Sequence, residues 1–175
     1  ARLAGRWHSD PPQHRMLRPA RYLIVTEGTK TEPNYFQSIK QRIEAKYGKG
    51  RIDLDIQPGG ANTTSLFKKA VAIADQDING GYDQVWIVYD KDDFPPEHFN
   101  QVQFDCDDRG EGRTSYRAAW SNEAFELWYV LHFEYMHSAI SRARYCEKLS
   151  ESLKQLGREK YAKNSDDMFE LLEDR

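Results

Sequence analysis

The sequence predicts an α/β fold with a mostly parallel central sheet, helices on both faces of that sheet, and additional helices towards the C-terminus. Two continuous apolar runs, residues 22–25 and 85–89, are typical of strands that a parallel sheet buries on both faces. Segments with helical spacing of apolar residues separate these runs from a third strand. The resulting order of strand, helix, strand, helix and strand favours parallel pairing with helical crossovers.

The first half of the chain alternates strands and helices. Pro33 falls in the first turn of the first predicted helix, where its missing N–H group has no helical partner to lose. Residues 52–56 alternate between apolar and acidic side chains, which predicts a half-exposed strand at the edge of the sheet. The predicted elements are a strand at 22–25, a helix from Thr31 to Tyr47, the edge strand at 52–56, a helix that begins at Thr63 or Thr64 and closes at 79–81, and a strand at 85–89.

Helices and loops dominate the second half of the chain. A short irregular or helical piece runs from Pro95 to about Phe104, and the polar, glycine-containing residues 105–113 predict a mobile loop. The remaining predicted elements are a strand at 116–120, a helix at 123–133 capped by Ser121 or Asn122, and an amphipathic helix at 141–156 that ends at Gly157.

The composition is that of a globular protein with one domain. The chain has 175 residues, of which 39% are hydrophobic and 30% charged, and its net charge of −3 argues against a protein coated with basic groups. No apolar run is long enough to cross a bilayer, and no signal-peptide pattern appears. Cys106 and Cys146 have neither metal-ligand spacing nor a disulfide framework around them. We therefore expect a reducing, cytoplasmic setting and no membrane association.

The two ends of the chain differ from its centre. Residues 1–20 are rich in arginine and proline, which predicts a flexible basic arm that either contacts phosphates or is simply solvated. Residues 21–175 form the single predicted domain. The sequence stops inside a helical pattern at residues 171–175, so we expect a fragment truncated at its C-terminal end.

Acidic residues follow both central apolar runs. Glu27 and Gly28 follow the first run, while Asp90 and Asp92 follow the other. In an open α/β sheet the ligand site lies outside the carboxyl ends of the strands, so these three carboxylates would converge there. Clustered carboxylates repel one another unless a cation compensates, and Mg²⁺ or Mn²⁺ prefers such oxygen ligands. The alternative interpretation is that acidic residues follow strands because loops are solvated.

Convergence requires that the two apolar runs be neighbouring parallel strands. Asp90 and Asp92 are two residues apart, so their side chains point the same way in extended backbone, whereas Asp93 faces elsewhere. The Glu27 carboxylate would then lie within about 10 Å of Asp90 or Asp92, since a shared ion binds its oxygen ligands at about 2.0–2.6 Å.

A metal held by these carboxylates would suit a phosphoryl-transfer site, and five further residues are candidates for a place in it or beside it. Gly28 lets the chain turn sharply beside a phosphate, and Lys30 at the start of the first helix would add a charged contact. Lys163 is either a second phosphate-binding residue or an exposed loop lysine. Glu126 lies in an apolar helix, and a buried carboxylate there needs a metal, a basic side chain or backbone N–H groups. Glu32 is interpreted as a first-turn residue that complements the helix dipole.

Several segments together resemble the RloB family, whose members are encoded beside bacterial restriction and defence genes. The family carries a strand followed by an EG-x-KTEPxYF signature, which residues 27–36 match almost completely. A strand ending in D-x-D is matched by residues 90–92, and a late Tyr-x-Lys by residues 161–163. A SNPxFELW-type helix is matched by residues 121–128, with Glu123 in place of the usual Pro. The resemblance spans residues 21–163.

The RloB family is in turn similar to Toprim domains, which implies a Toprim- or Rossmann-like fold. The resemblance implies that Glu27 acts in acid/base catalysis or metal binding, and that the Asp-x-Asp pair holds Mg²⁺. The expected catalytic residues are Glu27, Asp90, Asp92 and Lys30; the expected ligands of Mg²⁺ or Mn²⁺ are Glu27, Asp90, Asp92 and Glu126; the expected substrate-binding residues are Gly28, Lys30 and Lys163.

The leading functional hypothesis is a metal-dependent nuclease that hydrolyses phosphodiester bonds of RNA or DNA in defence against phage. Hydrolysis is the simpler chemistry, because no tyrosine nucleophile can be assigned. One alternative is a non-catalytic nucleic-acid or nucleotide-binding module with a Mg²⁺-phosphate clamp. The other is a structural partner in a larger restriction or defence complex.

Overall fold

The computed structural model describes residues 18–60, 63–91, 96–109 and 112–175. Within these residues the fold is a sheet of four parallel strands, in the order β2-β1-β3-β4, flanked by helices. This arrangement confirms the predicted α/β class, the parallel sheet and the edge position of β2. The strands are β1 (Ala20–Thr26), β2 (Ile52–Pro58), β3 (Gln84–Lys91) and β4 (Ser115–Asn122).

Six helices are defined among the described residues, and three of them follow the sheet at the C-terminal end, as predicted. They are α1 (Thr31–Tyr47), α2 (Thr63–Asp75), α3 (Pro96–Arg109), α4 (Glu126–Val130), α5 (Arg142–Lys154) and α6 (Met168–Leu172). None of these helices is long and apolar enough to span a bilayer.

The sheet separates two hydrophobic cores. On one face, Leu23 and Val25 of β1 are completely buried and pack with residues from α2 and α3. On the other face, Ile24 and Val88 pack with residues from α4, α5 and α6, and side chains of α1 close this layer. Because successive strand residues point to opposite faces, one continuous apolar run can serve both cores.

β1 and β3 are neighbouring central strands, as predicted. Their register pairs Val25 with Ile87 and Thr26 with Val88. The ladder continues one residue further, where the Glu27 N–H donates to the Val88 carbonyl at 2.8 Å. This register brings the carboxyl ends of the two strands to the same level at one edge of the sheet.

The predicted mobile loop at residues 105–113 is wrong over its first half, because α3 continues to Arg109. Val102 and Cys106 are each 1% exposed and pack into the first core, one helical turn apart. Arg109 then bonds the Asp75 carboxylate at 2.8 and 2.9 Å. The polar residues of this segment are the solvent face of an amphipathic helix, whose short apolar stripe the sequence pattern did not reveal.

The helix predicted at residues 123–133 is shorter than expected and starts at Glu126. Glu123 has a φ of 61°, in the left-handed region that excludes a right-handed helix start. Its N–H donates to the Lys91 carbonyl at 3.2 Å, so the chain is still following β3 at this point. A proline, with φ near −65°, could not adopt this backbone.

Most of the predicted basic arm, residues 1–17, lies outside the described residues. Arg18 forms an ion pair with Asp83 and bonds the Gly80 carbonyl at 3.0 Å. Next to it, Arg21 is 8% exposed and forms two hydrogen bonds with Asp77, at 2.7 and 3.0 Å. These contacts join the start of β1 to the loop that precedes β3. They lie at the amino ends of the strands, opposite to the carboxyl ends where Glu27 lies.

Candidate metal and phosphate site

A cavity of about 500 Å³ lies at the carboxyl edge of β1 and β3. Its walls come from the β1–α1 connection, the end of β3, α4, the start of α5 and the segment before α6. The charged side chains in these walls are the carboxylates Glu27, Glu32, Asp90 and Glu126 and the cations Lys30, Arg142 and Lys163. Carboxylates and cationic side chains therefore share one cavity.

Glu27 and Asp90 meet because β1 and β3 pair in parallel. The Asp90 N–H donates to Glu27 Oε2 at 3.1 Å, where the next bond of the ladder would have formed. This contact places the Glu27 carboxylate at the end of β3, in the cavity that Asp90 also lines. The predicted proximity of the two residues therefore holds.

Gly28 makes room for another side chain of the same site. A Cβ atom at this position would collide with the Glu32 carboxylate, so the space beside Gly28 is taken by Glu32. The Thr26 hydroxyl donates to the Gly28 carbonyl at 2.8 Å and holds the turn. A contact between Gly28 and a substrate stays a prediction.

Glu32 lines the cavity, a position that the sequence interpretation did not anticipate. It lies in the first turn of α1, as predicted, but it is only 5% exposed. Burial raises the pKa of its carboxyl group, hydrogen bonds from the Glu32 and Gly28 backbone N–H groups lower it in part, and the nearby carboxylates of Glu126 and Glu27 raise it further. The missed signal was its spacing: Glu32 lies on the same helical face as Phe36 and Ile39, within the apolar stripe of α1.

Glu126 is 2% exposed and forms part of the cavity wall. The Tyr161 hydroxyl donates to Glu126 Oε1 at 3.0 Å, a partner that the sequence did not predict, and the role of Glu126 as a metal ligand stays a prediction. Burial and the Glu126 charge raise the pKa of Tyr161 well above its usual range, so the tyrosine keeps its proton. A neutral donor from the C-terminal segment thus satisfies this buried carboxylate.

Lys30 and Lys163 are exposed at the rim of the cavity. Lys163 is carried there by the segment between α5 and α6. The Thr31 hydroxyl donates to Asn164 Oδ1 at 3.0 Å and fixes this segment to the start of α1. Residues that are 133 positions apart in the chain therefore form one wall.

Arg142 is a second residue that the sequence interpretation did not identify. It is the first residue of α5, and its guanidinium Nη2 lies 3.8 Å from Asp90 Oδ2. The same nitrogen donates to the Glu123 carbonyl at 2.8 Å, and the Arg142 N–H donates to Glu123 Oε2 at 2.8 Å. No motif marks this position, because only the packing of α5 brings it over β3.

Asp92, the third predicted ligand, lies outside the described residues, as does Asp93. Among the residues that are described, no three His, Cys, Asp or Glu side chains form a ready-made metal cluster. Glu27 and Asp90 nevertheless supply the oxygen donors that Mg²⁺ uses, since it is bound by one or two carboxylates together with water and substrate phosphates. The donor set fits such an ion.

Comparisons with known proteins identify the family. The family model described as RloB-like protein matches residues 22–174, which include every candidate site residue. No curated protein and no solved structure matches the chain. Since the family match covers nearly the whole sequence, the chain belongs to the RloB-like family.

Proposed function

We propose that this protein is a metal-dependent nuclease that hydrolyses nucleic-acid phosphodiester bonds, with a role in bacterial defence against phage. The observation that carries the proposal is the pairing of Glu27 and Asp90 across two parallel strand ends, in a cavity that also contains three cationic side chains. Carboxylates bind the metal and cations bind the phosphate, so the cavity contains both groups that phosphodiester hydrolysis needs. The defence role rests on the family resemblance alone.

In this proposal Glu27 and Asp90 hold Mg²⁺ or Mn²⁺, with Asp92 as a further ligand. The ion would supply electrophilic stabilisation of charge on the phosphate oxygens. Glu126 and Glu32 lie in the same cavity wall and add negative charge that favours a cation over an empty site.

Glu27 is also the proposed general base. The Asp90 N–H holds one oxygen of its carboxylate at 3.1 Å, which fixes the direction of the group. A carboxylate held in this way can take a proton from an attacking water without having to reorient. Lys30 and Lys163, exposed at the rim, would contact the phosphates on either side of the cleaved bond.

The test is a panel of labelled single- and double-stranded RNA and DNA, incubated with the purified protein and Mg²⁺ or Mn²⁺. We expect cleavage by the wild type and loss of cleavage in Glu27→Gln, which keeps the size of the side chain but cannot accept the proton. Glu151→Gln, an exposed carboxylate on α5, is the matched control and should cleave normally. Metal-dependent binding without cleavage would instead support a non-catalytic binding module.

A further inference from the structure

Arg142 is held over the cavity by an unusual connection. Glu123, in the left-handed conformation with φ 61°, accepts one hydrogen bond from the Arg142 backbone and another from its side chain. A glutamate in the left-handed conformation is strained, and such strain persists only where surrounding contacts impose it. Here the contacts are those that fix Arg142 at the start of α5.

The held guanidinium faces a proposed metal ligand. Arg142 Nη2 lies 3.8 Å from Asp90 Oδ2, and the Asp90 side chain is only 19% exposed. A divalent ion on Asp90 and the guanidinium beside it carry charge of the same sign. If both were bound to the Asp90 carboxylate, the ion and the guanidinium would repel each other. The ion and Arg142 therefore compete for Asp90.

We propose that Arg142 is a phosphate-binding residue whose partner changes with the state of the site. It neutralises Asp90 when no metal is bound, and it contacts a phosphate of the nucleic acid when the metal occupies Asp90. Arginine suits the second role, because its planar fork of donors matches phosphate oxygens. This inference rests on the proposed function, since it takes nucleic acid as the ligand and Asp90 as a metal ligand.

Two affinities of Arg142→Gln should move in opposite directions. Loss of the competing cation should tighten Mn²⁺ binding in the absence of nucleic acid, by up to about fivefold, the range of a partly exposed ion pair. Loss of the phosphate contact should weaken binding of a labelled 12-nucleotide RNA or DNA by about tenfold or more. The slope of log affinity against log salt concentration should fall by about one unit.

The measurements avoid any dependence on turnover. Mn²⁺ affinity is measured by calorimetry on the protein alone. Oligonucleotide affinity is measured by fluorescence anisotropy in Ca²⁺ over a series of NaCl concentrations, with the oligonucleotide checked for integrity afterwards. Arg144→Gln is the matched control, because Arg144 lies on the same helix and pairs with Glu147 at 2.7 Å, outside the cavity. It should change neither affinity beyond a small general effect of charge.

Arg142→Lys keeps the positive charge but removes the planar set of guanidinium donors. It also replaces Arg142→Gln as the test if the glutamine variant does not fold. It should keep Mn²⁺ affinity near that of the wild type and still weaken oligonucleotide binding. Weakening of both affinities in Arg142→Gln, or no change in either, would overturn the inference, as would a wild type that binds neither RNA nor DNA. A wild type that binds but does not cleave would refute hydrolysis, while the two titrations would still decide the role of Arg142.

Discussion

The hydrogen bond between Tyr161 and Glu126 should contribute strongly to stability. The two side chains are 8% and 2% exposed, and their oxygens lie 3.0 Å apart. A hydrogen bond to a charged group contributes about 1.5–3 kcal/mol, and burial prevents water from replacing the donor that Tyr161→Phe removes. We therefore expect the free energy of unfolding to fall by that amount, which lowers the melting temperature by about 3–12 °C for a chain of this size.

Urea denaturation and thermal melting at pH 7 in metal-free buffer measure this loss. Tyr135→Phe is the control, since Tyr135 is 77% exposed. Removal of its hydroxyl should change the free energy of unfolding by no more than about 0.5 kcal/mol. A loss of that small size in Tyr161→Phe would show that the hydrogen bond does not stabilise the fold.

A double-mutant cycle with Glu126→Gln then tests the role of the charge. The amide oxygen of the introduced glutamine can still accept from the Tyr161 hydroxyl, but a bond between neutral groups contributes only about 0.5–1.5 kcal/mol. Tyr161→Phe should therefore cost about 1 kcal/mol less in the Glu126→Gln background than in the wild type. Equal losses in both backgrounds would attribute the effect to packing of the ring.

Glu126→Gln alone should weaken cleavage by about 10–100-fold while the melting temperature stays near that of the wild type.

Three further predictions concern the carboxylates. Asp90→Asn should abolish cleavage, and Mn²⁺ should raise the melting temperature of the wild type by mass action but that of Asp90→Asn much less; equal metal-induced shifts would refute the site. Glu32→Gln should raise stability in metal-free buffer, because it removes a buried charge from the neighbourhood of two other carboxylates, and a lower melting temperature would contradict this. Asp77→Asn should cost about 1–3 kcal/mol, because it leaves the buried Arg21 with only Asp53 and the Gly81 carbonyl as partners, whereas Asp75→Asn, in an exposed pair, should cost at most about 1 kcal/mol. The hydrogen bond from Arg21 holds the pKa of Asp77 well below its usual range, so the ionised carboxylate stabilises the fold fully above about pH 4 and loses this effect as the pH falls. The stability difference between wild type and Asp77→Asn should therefore shrink in acid, and a constant difference in a pH series of denaturation curves would argue against this linkage.

The central sheet could be predicted from the sequence because its signals are local. The runs at 22–25 and 85–89 are continuous and apolar, and such runs have few alternatives to a strand buried on both faces. Parallel pairing then places the residues that follow them at one edge. The meeting of Glu27 and Asp90 was predictable for this reason, without knowledge of any other contact.

The ends of some elements could not be predicted, because tertiary contacts override local composition. Residues 105–109 have the composition of a polar loop, yet Cys106 completes a helical stripe with Val102 and is buried against the sheet. Glu123 fits a helix by composition, but the hydrogen bond from its N–H to the Lys91 carbonyl keeps it beside β3. In both places a contact that is remote in sequence decides the backbone conformation.

Only the tertiary structure revealed the remaining residues around the cavity. Glu32 was visible as a first-turn glutamate, but its burial depends on Gly28 and on the elements that cover it. Arg142 and Tyr161 reach Asp90 and Glu126 because α5 and the segment after it fold back over the carboxyl edge of the sheet. An acidic residue directly after an apolar strand can be recognised from a few consecutive residues. A contact between residues far apart in the chain leaves no such local pattern in the sequence. The sequence alone therefore determined the sheet, its two meeting carboxylates and the candidate lysines, and packing of the C-terminal segments decided that Arg142 and the Tyr161 hydroxyl join them.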